Sequence, residues 1–419
     1  MPALTDRDRS LAAGEMGPAP ALAMRIILAM AEAAEAPRLI DVTGAHIDSC
    51  LYHGDAGLDF AERLAAGGGR VVVPTTLNVS TLDLLHPHLF RGDDRLRDRG
   101  HRLMTAYVQM GGTPTWTCAP YQSAVRPGLG EHVAWAESNA IVFVNSVLGA
   151  RTNRYGDFID ICAALTGRVP DAGLHRDENR RARVVFQLSG VAEEVLRSEI
   201  VFPVVGHLVG RRTGTLVPAI VGLPADASED ALKALGAAAA SSGGVAMFHA
   251  VGRTPEAPTL EQALGGHPAD RAIAVDTEML AAARAELSTR TDGPLAAISV
   301  GTPHFSVAEF RTLAGLVAGR TIDPEVEFYV NTSREVLAEA AAEGLVTPLR
   351  TAGIEIVTDT CTYITPIMRN RSGVVMTNSG KMAYYAPGNL GVDVAFGSLA
   401  ECVESGVTGR IAIDSGAWR

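Results

Sequence analysis

Apolar positions along the chain follow two different periods, and segments of the two kinds alternate. Short runs rich in valine and isoleucine are typical of buried strands, whereas alanine and leucine spaced three or four positions apart are typical of helices. The strand candidates are RLIDVTGAH, GRVVVPTTLN, AIVFVN, ARVVFQLSG, EIVFPVVGHLVG, VPAIVGLP, GVAMFHAVG, LAAISVG, EFYVN, GIEIVTD and GVVMTNSG. The helix candidates are residues 11–36, AGLDFAERLAAG, GEHVAWAESNA, EDALKALGAAAASS, DTEMLAAARAELSTR, SVAEFRTLAGLVAG and SREVLAEAAAEG.

Strands that alternate with helices predict an α/β fold with largely parallel sheets. We divide the chain into an N-terminal helical segment over residues 1–40, an α/β region over 41–215 and a doubly wound α/β region over 216–419. Doubly wound folds bind their ligands beyond the carboxyl ends of the strands. The loops that follow the strands are therefore where we expect a site.

The chain is acidic, with 36 basic and 47 acidic side chains and a formal net charge of −11. Such a chain does not attract phosphate backbones or anionic lipids, which makes nucleic acids and membrane surfaces poor partners. No apolar run reaches the roughly 18–20 residues that span a bilayer. The start, MPALTDRDRS, is charged where a secretion signal is apolar. We expect a cytoplasmic protein that acts on a small molecule.

Five cysteines are scattered along the chain, in a number and spacing that do not predict a disulfide framework. Cys162 and Cys402 lie in helical patterns, where a free cysteine is a small core residue. Cys118 and Cys361 each follow a threonine in a loop, and Cys50 lies in HIDSCLYHGDAG. Because the sequence contains no C-x-x-C pair, a metal site would need ligands from distant segments.

All but two of the 36 basic residues are arginine. Arginine cannot replace lysine where a compact ammonium group is needed. Lys233, in the alanine-rich EDALKALGAAAA, is expected to be a solvated helix residue. Lys381, in TNSGKMAYYAP, follows a glycine beside a loop, and we predict a functional role for it.

Small hydroxyl and amide side chains are concentrated where the predicted strands end. The substrate-binding candidates in these loops are Thr75, Thr76, Asn78, Ser146, Arg151, Asn153 and Ser379. Loops on a rigid scaffold are where binding residues concentrate. Ordinary helix caps and turns explain any one of these loops equally well, so a shared site and simple capping are both open at this point.

Several longer motifs occur in a fixed order along the chain. They are HGDAGLDFAERLAAGG, VPTTLN, TPTWTCAPY, GEHVAWAESNAIVFVNSVLGARTNR, LHRDENR, FHAVGRTPEA, GTPHFS, TDTC, TNSGKMAYYAPG and FGSLAECVESGVTG. From about residue 40 to the C-terminus, this set closely resembles the large, catalytic part of aconitase X.

The resemblance implies a hydro-lyase with an aconitase-like fold, in which three α/β domains surround a central cleft and an iron-sulfur cluster. A swivelling fourth domain completes such a protein, either fused or as a separate small subunit. The family dehydrates cis-3-hydroxy-L-proline or mevalonate 5-phosphate, and the GTPHFS motif resembles the hydroxyproline type. The chain continues no further than GRIAIDSGAWR, so it resembles a separate large subunit.

The same resemblance implies the ligands of the cluster. Cys118 in TCAPY and Cys361 in TDTC match the family's cluster cysteines, while Thr302 stands where many members have a third cysteine. Cys50, beside the GDAG motif, is the replacement that we expect. Three thiolates leave one iron with an open position, and such an iron can act as a Lewis acid on a leaving hydroxyl group.

Charged residues in these motifs are expected to bind and activate a hydroxy acid. Arg151 can hold a substrate carboxylate with its planar guanidinium, or it can form a structural ion pair. Lys381 can bind the same carboxylate or assist the leaving group. His304, His249 and His175 are candidate acids or hydrogen-bond donors, and each can instead be structural.

Other classes of protein stay open from the sequence alone. A metal-free binding or regulatory subunit would contain no iron, and the placement of Cys118 and Cys361 argues against it. A phosphate-binding enzyme would need a G-x-x-x-x-G-K-[ST] loop, whose spacing SGKM lacks. A mevalonate 5-phosphate dehydratase is the alternative within the family.

Overall fold

The computed structural model describes residues 2–123, 125–414 and 418. Residues 415–417 and 419, at the chain end on which the expectation of a separate large subunit depends, lie outside the described residues. The described helices are α1 (Asp6–Ala13), α2 (Pro18–Ala33), α3 (Asp55–Ala66), α4 (Asp94–Gln109), α5 (Ser138–Ser146), α6 (Ile159–Thr166), α7 (Glu193–Leu196), α8 (Val201–Thr213), α9 (Glu229–Ser242), α10 (Leu260–Ala263), α11 (Thr277–Glu286), α12 (Val307–Val317), α13 (Arg334–Ala342), α14 (Val346–Thr351), α15 (Gly380–Leu390) and α16 (Leu399–Thr408). The described strands are β1 (Leu39–Asp41), β2 (Ala45–Ile47), β3 (Thr75–Leu77), β4 (Ala134–Trp135), β5 (Arg168–Pro170), β6 (Val184–Gly190), β7 (Pro218–Val221), β8 (His249–Ala250), β9 (Arg271–Asp276), β10 (Leu295–Phe305), β11 (Glu327–Thr332), β12 (Ile354–Val357), β13 (Val374–Thr377) and β14 (Asp393–Phe396).

These elements fall into two compact units. Unit 1 comprises residues 1–82 and 93–181, and unit 2 comprises residues 83–92 and 182–419. Unit 1 contains the parallel sheet β3-β2-β4 and the antiparallel pair β1-β5, and unit 2 contains the parallel sheets β8-β7-β6-β9 and β12-β11-β10-β13-β14. The predicted α/β class with largely parallel sheets is confirmed, and the predicted boundaries at residues 40 and 215 stay predictions.

The five-stranded sheet of unit 2 positions one part of the candidate site. Its strands β10, β11 and β13 are buried along their whole length, as expected for parallel strands covered by helices. Strand β10 lies at the centre, with β11 on one side and β13 on the other. The strand order reverses beside β10, so its carboxyl end, which includes Thr302 and His304, lies where such folds bind ligands.

The strand predicted for EIVFPVVGHLVG is wrong, because Val201–Thr213 form helix α8. The β-branched residues of this segment favoured a strand. Gly206 and Gly210 are four positions apart and therefore lie on one face of the helix, which packs against α9. A Cβ atom at Gly206 would lie 2.2 Å from the carbonyl oxygen of Leu235, so the close packing of the two helices requires glycine there.

Other elements also differ from the prediction. AIVFVN lies in helix α5 and not in a strand, and GEHVAWAESNA contains strand β4 where a helix was predicted. Glu137 separates β4 from α5 with a φ of 76°, and its carboxylate accepts a hydrogen bond from the Ala140 amide at the helix start. Strands β5, β9 and β14 were not predicted. β9 and β14 are edge strands, and most residues of β9 are exposed. In the described ranges, no helix combines the length and the apolar character that crossing a membrane requires.

A buried ion pair joins helix α1 to strand β5 within unit 1. Asp8 on α1 is completely buried, and its carboxylate accepts hydrogen bonds from Arg168 on β5 and from the backbone amide of Thr5. Burial alone would raise the pKa of Asp8, but the bonds from Thr5 and Arg168 hold it below its ordinary value. The pair therefore stabilises the fold above the ordinary carboxyl pKa, and this stabilisation is lost as the pH falls through the pKa of folded Asp8.

We expect Asp8→Asn to lower the free energy of unfolding by about 3 kcal/mol at pH 7, because it leaves part of a buried guanidinium uncompensated. Urea denaturation followed by circular dichroism measures this change. The matched control is Asp6→Asn, which breaks an exposed pair with Arg9 and should change the free energy by at most about 0.5 kcal/mol. A difference between Asp8→Asn and wild type that persists unchanged below pH 3 would contradict the role of this carboxylate.

Candidate metal centre and substrate-binding residues

Three of the predicted binding residues lie at one end of the unit 1 sheet. Thr75 and Thr76 are on β3 and Asn78 follows it, and all three are buried. Thr76 Oγ1 lies 2.8 Å from His46 Nδ1, and Asn78 Nδ2 donates to the carboxyl group of Asp48. The structure therefore places Thr76 and Asn78 in one cluster of polar side chains with His46 and Asp48. The Thr75 hydroxyl instead donates to the backbone.

Two residues of this group were not predicted to be functional. Burial, followed by the charges of Glu137 and Asp157, raises the pKa of Asp48 to about 8, so the carboxyl group is mostly protonated at neutral pH. Burial lowers the pKa of His46 to about 4, so this imidazole is neutral. The available signal was the position of Asp48 directly after a buried strand, where ligands bind in such folds. Asp48 and His46 join the candidate binding residues.

Asn153 and Ser146 lie in another part of unit 1. The Asn153 amide group accepts a hydrogen bond from Leu174 N at 2.7 Å and donates one to the carbonyl oxygen of Ala172 at 3.0 Å. Ser146 is the buried last residue of α5. The contacts of Asn153 hold a loop in place. This is the structural role that the sequence analysis left open beside substrate binding. A substrate role for Asn153 and Ser146 stays a prediction.

Arg151 is engaged in the same part of unit 1. Its guanidinium pairs with Asp177 and donates to the backbone carbonyl oxygen of His175 at 3.1 Å. The His175 ring bonds to Tyr155 Oη at 2.7 Å and to His132 Nδ1 at 3.0 Å, and burial lowers the pKa of His175 to about 3. The structure thus gives Arg151 the structural ion pair that the sequence left open, and its role in holding a substrate carboxylate stays a prediction.

A histidine and a cysteine meet at the carboxyl edge of the large sheet in unit 2. His304 is on β10 and Cys361 is in the loop after β12, and both side chains are buried. His304 Nε2 lies 3.5 Å from Cys361 Sγ and 3.2 Å from the carbonyl oxygen of Thr360. Imidazole nitrogen and thiolate sulfur are both ligands of iron and zinc. This pair therefore fits a metal cofactor.

Cys118 is the predicted cluster cysteine of unit 1. It is buried in a loop that also contains Trp116, whose φ of 43° is strained for a bulky residue. Backbone strain of this kind is concentrated at functional sites. Cys118, His304 and Cys361 each offer one buried ligand atom to a metal ion.

Cys50, the expected third ligand, is a fully buried thiol of unit 1. Its Sγ lies 3.3 Å from the carbonyl oxygen of Ile47 and 3.3 Å from that of Asn78. Burial, and then the charges of Asp48 and Asp160, raise the pKa of Cys50 well above its ordinary value. These contacts suit a protonated thiol that donates to carbonyl groups, so a thiolate role for Cys50 stays a prediction without support from its own surroundings.

Thr302 and Ser379 are in contact at the start of helix α15. Ser379 Oγ accepts a hydrogen bond from Met382 N at 3.0 Å, as a helix cap does, and donates to the carbonyl oxygen of Thr302. Thr302 Oγ1 is buried and has no hydrogen-bond partner in the described part of the chain. Lys381, in the first turn of α15, is also buried. A buried hydroxyl with unused bonding capacity, two residues before His304, fits a group that binds there.

The expectation that Lys233 is solvated is wrong. Its side chain is 2% exposed, and its ammonium group pairs with Asp230 at 2.8 Å and with Glu309. Burial opposes the charged form, but the two carboxylates hold the pKa of Lys233 above its ordinary value. His249, another histidine considered above, is buried on β8, and its role stays a prediction.

Three family models match this chain in succession. They describe the first, second and third domains of aconitase X and match residues 1–178, 182–285 and 295–408. The chain is also similar to the crystal structure of Thermococcus kodakaraensis aconitase X in its holo-form, with a TM-score of 0.87 and 32% identity, covering 96% of this chain and 100% of that chain. This likeness confirms the predicted fold.

Curated relatives of two activities are similar over nearly the whole chain. A cis-3-hydroxy-L-proline dehydratase of Pseudomonas aeruginosa is 45% identical over 100% of this chain and 72% of its own length, and one of Hypocrea jecorina is 43% identical over 97% and 69%. A phosphomevalonate dehydratase large subunit of Methanothermobacter thermautotrophicus is 37% identical over 91% of this chain and 93% of its own length.

Proposed function

Because this chain belongs to the aconitase X family, we propose that it is the catalytic chain of a dehydratase for cis-3-hydroxy-L-proline. The observation that carries this proposal is the 45% identity to the Pseudomonas aeruginosa dehydratase along the full chain. The phosphomevalonate dehydratase large subunits are more distant, at 37% identity and below. Dehydration of mevalonate 5-phosphate is therefore the second candidate function.

The proposed reaction removes the 3-hydroxyl group and the α-proton of the substrate as water. The first product is an enamine, which tautomerises to the cyclic imine Δ1-pyrroline-2-carboxylate. Hydroxide is a poor leaving group, and an iron-sulfur cluster with an open iron position supplies a Lewis acid for it when bound. The protein must bind the carboxylate, orient the ring and exclude water so that the correct hydroxyl group leaves.

We propose that Cys118 and Cys361 are cluster ligands, as the motifs TCAPY and TDTC imply. We further propose His304 as a ligand beside Cys361, which the 3.5 Å separation of Nε2 and Sγ supports. Cys50 is the alternative third ligand. In the alternative role for His304, its imidazole donates a proton to the leaving hydroxyl group.

We propose that cations and polar side chains of the two units bind the substrate. Lys381 is the proposed partner of the substrate carboxylate, because a buried ammonium group in the first turn of α15 attracts an anion strongly. Ser379 holds the backbone of Thr302 and so orients this part of unit 2. Arg151, Thr76 and Asn78 are the further binding candidates.

We also propose that a small swivel-domain subunit completes the enzyme. This chain covers more than nine-tenths of the relatives that are named large subunits, but only 72% and 69% of the two hydroxyproline dehydratases. A portion of each hydroxyproline enzyme therefore has no counterpart in this sequence. The name of the phosphomevalonate relatives, large subunits, supports a separate polypeptide as the source of that portion.

The substrate assay uses the chain together with such a second polypeptide. We expect formation of an imine from cis-3-hydroxy-L-proline, detected with an imine-trapping reagent. The trans isomer is the matched control and should react at least about a hundredfold more slowly, because misplacing the leaving group costs on that order. Activity on mevalonate 5-phosphate with none on cis-3-hydroxy-L-proline would overturn the proposal in favour of the second candidate.

A further inference from the structure

The ammonium group of Lys233 has three acceptors inside unit 2. It pairs with the carboxylates of Asp230 and Glu309, and it donates to the backbone carbonyl oxygen of His304 at 3.2 Å. An ammonium group has three N–H donors, so this set uses its full capacity. A buried lysine is costly unless all its donors are paired, which makes the contact with His304 part of a closed arrangement.

The same two carboxylates hold the backbone just beyond His304. Ser306 N donates to Glu309 at 2.8 Å, and Ser306 Oγ donates to Asp230 at 2.6 Å. The segment from His304 to Ser306 is thus fixed at the carbonyl group of its first residue and at the amide and hydroxyl groups of its last. A shift of Lys233 would move the peptide that directs the His304 side chain.

We propose that Lys233 is a positioning residue that holds the His304 imidazole towards Cys361. The inference rests on the proposed role of His304 as a metal ligand. Nε2 of His304 lies within 3.5 Å of the Cys361 sulfur, and its ring orientation depends on the backbone that Lys233 binds. Groups that orient a ligand in this way tune metal affinity without touching the metal.

The use of lysine at this position is informative in a chain whose other cations are almost all arginine. The three acceptors surround one nitrogen atom, which suits a tetrahedral ammonium group. A guanidinium group is planar and larger, and it distributes its donors over three nitrogen atoms. Lys233→Arg therefore keeps the charge but should not restore the position of His304.

The test measures binding of Co²⁺ to the metal-free protein, with Co²⁺ as a spectroscopic probe for ligation by imidazole and thiolate. We expect Lys233→Met to weaken Co²⁺ binding by about 10- to 100-fold, as loss of an orienting group does. We expect Lys233→Arg to give a similar loss. A second variant, Lys233→Met with Glu309→Gln, also neutralises one of the two carboxylates that lose their cation and leaves Asp230, whose side chain is 27% exposed. It therefore buries less uncompensated charge while the bond to His304 is absent.

A double-mutant cycle with His304→Ala separates positioning from general destabilisation. If Lys233 acts through His304, then Lys233→Met adds no further loss of Co²⁺ affinity in the His304→Ala protein. Arg369→Met is the matched control, because it also removes a cation from a buried carboxylate, that of Glu327, on the same sheet. This control should leave the Co²⁺ spectrum and affinity unchanged.

The outcomes distinguish the inference from the function on which it rests. Wild-type Co²⁺ affinity in folded Lys233→Met with Glu309→Gln, together with a clear loss in His304→Ala, would overturn the positioning role alone. Unchanged Co²⁺ binding in His304→Ala would overturn both the ligand assignment and the positioning role. Full rescue by Lys233→Arg would show that only the positive charge matters, which also contradicts the inference.

Discussion

Replacement of Cys361 or Cys118 by serine is expected to remove iron from the protein and to abolish dehydration. Thiolate sulfur is the ligand that holds iron-sulfur clusters, and a serine hydroxyl is a much poorer ligand. The Lewis acid contributes several kcal/mol to the reaction, so its loss should lower kcat by about a thousandfold or more. Iron and sulfide per chain, measured after purification without oxygen, together with kcat, test this prediction.

The other cysteines provide matched controls for the same substitution. Cys162 and Cys402 are buried on helices α6 and α16, as the sequence predicted, and their serine variants should retain iron. Comparison of His304→Ala with Cys50→Ser identifies the third ligand, because only the true ligand should change the iron content. Unchanged iron in both Cys118→Ser and Cys361→Ser would refute the ligand assignment.

Apolar periodicity is sufficient to locate the sheet that carries His304. Parallel strands buried on both faces give continuous apolar runs, and the predicted strands cover β12 and β13 in full and most of β11. The first part of β10 is also predicted, but this strand continues past the predicted end at Gly301 to Phe305. The same signal fails for helix α8, because its valines equally suit a buried helix. Whether this segment forms a helix depends on the packing of Gly206 against Leu235 on another helix, and local propensity does not encode that packing.

For a related reason, the sequence predicts only part of the candidate site. Motifs point to Cys118 and Cys361, and the end of a predicted strand points to Thr76 and Asn78, because each of these signals depends on nearby sequence. The contacts that set their chemistry join distant segments: His304 and Cys361 are 57 positions apart. Helical spacing likewise places Lys233 on a helix but cannot show that a residue 76 positions away supplies its carboxylate.

The difference between what nearby sequence predicts and what distant contacts determine is largest for buried polar groups. A buried charge must have a partner, and the partner is found only once the fold is known. Asp48 shows the opposite case, in which burial, and then the charges of nearby acidic residues, raise the pKa and keep a carboxyl group mostly protonated near neutral pH. Sequence patterns indicate where such groups cluster, and three-dimensional surroundings determine which form they take.

Dehydration by the chain without a second polypeptide is expected to be slower by about a hundredfold or more, the order of effect that follows when reacting groups are not held in place. The proposed small subunit would close over the substrate and exclude water. Exclusion of water strengthens the interaction of the substrate carboxylate with Lys381. A suitable probe is the portion of the Pseudomonas aeruginosa dehydratase that this chain does not match, expressed as a separate protein. Addition of that protein should give a stable heteromer and restore turnover.

The iron content and the absorption spectrum should change little when the second polypeptide is added, because the proposed ligands all belong to this chain. The heteromer made with Cys361→Ser is the control, and it should stay inactive although it assembles, since the added protein cannot supply the missing thiolate. Turnover by the 419-residue chain alone at the rate of the heteromer would show that the site is complete without a partner. A heteromer that forms without any gain in turnover would show that the added portion is not the missing part of the active site.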